Sequence, residues 1–69
     1  MYLEKDEVLH LANKKSYKVV NFEKYNDEYY YLLVNIQNKK FSVVTAHLID
    51  SELYLKEVKD EEILRKLKF

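Results

Sequence analysis

Glycine, proline, cysteine and tryptophan are all absent from this 69-residue chain. Without cysteine there is no disulfide, no thiolate zinc site and no cysteine nucleophile. Without glycine there is no phosphate-cradling loop, dinucleotide fingerprint or G-x-S-x-G elbow. Each of those needs a residue without Cβ where the backbone turns sharply or approaches a ligand. An excess of either charge is also missing. Twelve basic and 12 acidic residues leave a net charge of zero, so the chain has no global attraction to nucleic acid or to membranes. No apolar run reaches the ~20 residues of a membrane span. The opening Met1-Tyr2-Leu3-Glu4-Lys5-Asp6-Glu7 has neither a basic start nor an apolar stretch, so it does not read as a signal peptide. The expectation is a cytoplasmic protein forming one domain over 1–69, with no cofactor and no membrane contact.

What is present is a β-rich pattern organised around Tyr29-Tyr30-Tyr31-Leu32-Leu33-Val34-Asn35-Ile36. Tyrosine and valine favour a pleated backbone, and turn formers bound the run. Its even positions are apolar throughout, and three of its four odd positions are apolar. A strand greasy on both sides needs cover on both sides. The other predicted strands span 7–12, 17–25, 41–49 and 52–58, with turns at 13–16, 26–28, 37–40 and 50–51. Asn13 suits positive φ in the first turn, where no glycine is available. Apolar residues switch face between Val19 and Val20, which predicts a bulge. The period then changes. Residues 60–69 read as a helix, with Asp60 as N-cap, Glu61 and Glu62 at the positive end of its dipole, and Ile63, Leu64 and Leu67 on one face.

Short turns make consecutive strands neighbours. The predicted fold is α+β and mostly β. It is a five-stranded antiparallel meander, curled toward an SH3-like half-barrel, with a short C-terminal helix. If the even face of the third strand takes the helix, Tyr29, Tyr31 and Leu33 face either barrel closure or another subunit. A chain this small usually needs a staple, and self-association is the device left to it. A homodimer or higher oligomer is therefore expected.

Nothing in the chain assembles a reactive constellation. His10 and His47 lie on different strands with no third ligand at metal-site spacing. Ser16, Ser42 and Ser51 have no oxyanion-hole loop beside them. No enzyme is predicted. The tyrosines admit three readings. Cross-strand aromatic pairs stabilise small sheets. Tyrosine is also enriched at protein interfaces, which makes Tyr17, Tyr29, Tyr31, Leu33 and Tyr54 interface candidates. A tyrosine sheet flanked by Lys14, Lys15, Lys39 and Lys40 would alternatively suit single-stranded nucleic acid, with bases stacked and phosphates held. In a meander those lysine turns share one end, and Asp27, Glu28, Asp50 and Glu52 share the other. A helix folded back along the sheet would carry Arg65, Lys66 and Lys68 toward the acids, predicting internal compensation.

The lysine-, asparagine- and tyrosine-rich usage points to an AT-rich genome. The run Val58-Lys59-Asp60-Glu61-Glu62-Ile63-Leu64, with Tyr30-Tyr31-Leu32-Leu33-Val34 upstream, resembles in layout small uncharacterised proteins of low-GC Gram-positive bacteria and their phages. The resemblance covers most of the chain but its motifs are generic, and it implies no site residue. Phage anti-defence proteins, small anti-CRISPRs among them, are similar in size and in lacking catalytic motifs. The function this suggests is non-enzymatic: binding another protein, as an inhibitor of a host system would. Single-stranded nucleic-acid binding is the alternative.

Overall fold

The computed structural model describes residues 2–69; Met1, at the head of the segment judged not to be a signal peptide, lies outside them. Strands β1 (Val8–His10), β2 (Ser16–Tyr25), β3 (Glu28–Asn35), β4 (Phe41–Ile49) and β5 (Glu52–Glu57) pair in sequence order, every neighbour antiparallel. They form the expected meander, curled into a half-barrel, followed by helix α1 (Glu61–Lys66).

The turns meet the lack of glycine in two ways. Asn26-Asp27 and Asp50-Ser51 hold both residues at positive φ, 50° and 62° in one and 50° and 67° in the other. That is the hairpin geometry whose twist matches the flanking strands. In the two lysine turns the left-handed residue is a lysine, Lys14 or Lys39, each at φ 65°. Asn13 does not take that role. Its Oδ1 accepts the Lys15 amide at 2.9 Å, and Asn38 does the same for Lys40 at 2.9 Å. The short carboxamide mimics a backbone turn one residue ahead of the strained position.

The bulge falls where the pattern predicts it. Val19 opposes Leu33 and Asn21 opposes Leu32, so Val20 is the extra residue. The slip moves Phe22 onto the face already holding Val19, and Asn21 Oδ1 accepts the Phe22 amide at 2.9 Å. Phe22 then packs edge-on against Tyr29 and tilted against Tyr31, with ring centroids 6.5 and 6.4 Å apart. The bulge also sharpens the curl that closes the concave face.

The core lies inside that curl: Leu3, Val19, Tyr31, Leu33, Val44 and Ala46, fringed by Leu9, Tyr17, Phe22, Tyr29 and Leu55. Leu3 comes from outside the sheet. A tight turn (Glu7 N–H to Glu4 O, 3.2 Å) and the Asp6 amide on Val19 O at 2.7 Å hold the N-terminal segment across the open side. Strand β1 is shorter than 7–12. The Leu11 amide bonds Lys15 O and the Lys14 amide bonds Leu11 O, so the loop closes early.

The helix takes the other face, as supposed. Asp60 caps it through the Glu62 and Ile63 amides. It ends before 69, because Leu67 turns extended and buries itself while the Lys68 amide donates to Glu23 Oε1 at 2.8 Å. The extended exit thus buries Leu67 and brings the next residue onto Glu23 of β2.

Candidate functional site

The interface candidates divide once the sheet curls. Tyr31 and Leu33 are each 1% exposed, packed in the chain's own core beneath Leu3. They have no access to a partner, which corrects the expectation that they form a contact surface. Barrel closure, not a subunit, covers the odd face of β3. Tyr17 and Tyr29 are half-buried at the core's fringe. Only Tyr54 stands clear. The same burial takes two rings out of the stacking platform: Tyr30 is buried as well as Tyr31, and Tyr25 tilts against Tyr30 at 6.5 Å.

The lysine turns do meet. The Ile36 amide bonds Ser16 O at 2.9 Å, tying the ends of the two turns together, and Lys14, Lys15, Lys39 and Lys40 are all exposed. End-to-end compensation by the helix is not built. Asp60 lies beside Glu28 and Tyr30, the Lys68 amide reaches Glu23 on β2, and Arg65 pairs with Glu61 of its own helix at 3.7 Å. Burial, helped by the nearby Glu28 carboxylate and by Tyr25 and Asp60, pushes the Tyr30 hydroxyl above its ordinary pKa of 10.0.

The feature that stands apart is the distal half of the β4–β5 hairpin. The β3–β4 register runs from Val34–Phe41 to Tyr31–Val44 and stops. The β4–β5 register continues to Ile49–Glu52. Beyond Val44 the hairpin therefore projects as an arm whose pairing is only internal. Leu48, Ile49, Leu53 and Tyr54 on this arm are 55, 54, 42 and 47% exposed. Leu48 opposes Leu53 on the concave side, and His47 opposes Tyr54 on the convex side. Tyr54 Oη donates to Glu52 Oε2 at 2.9 Å, which fixes its ring along the strand.

At the foot of the arm β3 and β4 part around a cleft of about 480 Å³. Tyr2, Tyr29 and Tyr31 line one wall, Ala46 to Ile49 the other, and Asp27 and Glu28 the rim. Among the described residues that line it the cleft has two carboxylates and no lysine or arginine. Sequence reasoning placed Tyr54 and the acids here but missed Leu48, Ile49 and Leu53.

The histidines are far from each other in the sheet order. His10 Nδ1 lies 3.0 Å from Ser16 Oγ at the lysine end, and His47 Nε2 lies 2.9 Å from Thr45 Oγ1 on β4. Among the described residues no three His, Cys, Asp or Glu are placed to hold a metal ion. No described helix is long and apolar enough to cross a membrane. No protein-family model, curated protein or solved structure matches the chain, so the resemblance in layout gains no support from them.

Proposed function

We propose that this chain is a non-enzymatic protein-binding module that meets its partner through the β4–β5 arm and the acidic cleft at its foot. One observation carries the reading: four large apolar side chains, roughly half exposed, lie within seven positions of one projecting hairpin. Single exposed apolar residues are ordinary on a protein surface, but two on each face of one projecting element, Leu48 with Leu53 and Ile49 with Tyr54, mark it as a contact site. The carboxylates of Asp27 and Glu28 beside it favour a partner segment that is apolar with a basic residue. An inhibitor of a host system, the role the size and layout suggested, would act in this way.

The test compares capture by the wild-type chain and by a Leu48→Ser/Leu53→Ser variant from the native host's extract. A protein retained by the first and lost by the second supports the reading. The nucleic-acid alternative keeps its joined lysine turns, but two of its tyrosines, Tyr30 and Tyr31, are buried. Salt-dependent oligonucleotide binding, abolished by Lys14→Glu/Lys39→Glu and indifferent to the arm, would overturn the proposal in its favour.

A further inference from the structure

We infer that the outer edge of β5 pairs with β5 of a second copy, antiparallel, in a register centred on Tyr54. The inference rests on the reading of the arm as a contact surface and names one occupant of it. Strand β5 is an edge of the sheet, hydrogen-bonded to β4 alone. The Val58 amide donates to Val43 O at 2.8 Å. By the alternation of an antiparallel ladder, the even-numbered residues of β5 then turn their main-chain groups to β4. Leu53, Leu55 and Glu57 turn theirs outward. Edge strands are usually blunted by shortness, charged side chains, proline or a bulge, and the charges of β5 are ones that a second copy can pair. The opposite edge, β1, is three residues long; β5 has six, with no proline and no break in its register.

A two-fold antiparallel pair on this edge must set outward-facing residues against outward-facing ones. That leaves two registers in which five residues of each six-residue strand overlap, centred on Tyr54 and on Leu55. Centring on Leu53 or on Lys56 pairs only three residues of each strand, and the latter sets Lys56 against itself. Centred on Leu55, it sets Leu53 against Glu57 and Tyr54 against Lys56. Centred on Tyr54, it sets Leu53 against Leu55 twice, Glu52 against Lys56 twice, and Tyr54 against Tyr54 on the dyad. Only this last register matches apolar with apolar and acid with base at every position from 52 to 56. Directly opposed pairs of these kinds stabilise a sheet, and like charges destabilise it.

The joined sheet also gives cover to the exposed apolar residues nearest that edge. On the concave side Leu48 and Leu53 extend the core row that Leu55 already joins. Pairing would continue that row into the second copy. On the convex side the two Tyr54 rings would meet. The acidic cleft lies on the other side of β4 and stays open. The dimer would therefore present two such clefts to a further partner.

The chain has no cysteine, so one introduced cysteine reports one distance. Position 54 faces its own β4, so across the dyad it forms a non-hydrogen-bonded pair. The Cα atoms of such a pair lie ~4.5 Å apart, within disulfide reach. Tyr54→Cys at micromolar concentration under mild oxidation is expected to give a covalent dimer nearly completely. Phe41→Cys, more exposed still but remote from the dyad, is expected to stay monomeric. Glu52→Lys sets like charges together twice and should weaken association roughly tenfold. Adding Lys56→Glu should restore it. A wild-type chain that sediments as a monomer, with no preferential cross-linking at position 54, overturns the pairing. If Leu48→Ser/Leu53→Ser still abolishes partner capture in that case, the arm remains a contact surface and only the second copy is excluded as its occupant.

Discussion

Tyr31 Oη accepts a hydrogen bond from the Tyr2 amide at 3.1 Å, across 29 positions of chain. The bond fastens the N-terminal segment over the half-barrel and holds Leu3 at 1% exposure. Tyr31→Phe is expected to cost about 1 kcal/mol, the net worth of one hydrogen bond. Leu3→Ala is expected to cost about 2–5 kcal/mol through the cavity it leaves. Urea melts of the two variants check the ordering; a Leu3→Ala cost no larger than that of Tyr31→Phe would mean the segment is not part of the core.

Leu33 opposes Val19, which is fully buried, and is itself 1% exposed. Leu33→Lys forces an ammonium into that apolar contact and should cost several kcal/mol, enough to unfold a small domain. Lys56→Ala on β5 should move monomer stability by no more than about 0.5 kcal/mol. Circular dichroism before and after heating separates a folded from an unfolded Leu33→Lys chain.

Ser51 sits at φ 67° in the β4–β5 turn, where Cβ crowds the backbone. Ser51→Gly removes that strain at some cost in unfolded-chain entropy. The net expectation is a gain of about 0.5–1 kcal/mol. A thermal melt with a raised midpoint is the expected result; a lowered one would place Ser51 outside the left-handed region.

Tyr30 titrates higher in the folded chain than in the unfolded one, because burial and then the Glu28 charge disfavour its phenolate. The stability this contributes is complete below the ordinary pKa of 10.0. It is lost as pH rises through the higher folded value. Tyr30→Phe removes the titrating group and should flatten the alkaline fall in stability, measured by urea midpoints across that range. An unchanged slope would assign the fall to other groups.

Much of the fold was legible because strand, turn and cap signals agreed with one another. The face switch at Val19 located the bulge, and Asp60 located the helix start. Three features were not legible. Leu3 precedes any periodic segment, so nothing in the pattern marks it as core. Asn13 promised the left-handed position of the first turn, but Lys14 takes it, while Asn13 and, in the third turn, Asn38 each accept a backbone amide instead. The direction of the helix depends on a crossing angle that no spacing encodes. The arm, by contrast, carried an unread signal. Once Val34 opposes Phe41, each step outward pairs residues summing to the same value, so Leu48 would oppose Asp27 in the turn. Strand four overshoots strand three, and its apolar end is left without cover.

The open edge of β5 is the centre of this account, and amide hydrogen exchange reads it residue by residue. In concentrated solution the amides of Leu53 and Leu55 should be protected, as those of Tyr54 and Lys56 are by β4. On dilution the first two should lose protection together while Tyr54 and Lys56 keep theirs. Rapid exchange of Leu53 and Leu55 at every concentration would contradict the pairing of β5 with a second copy.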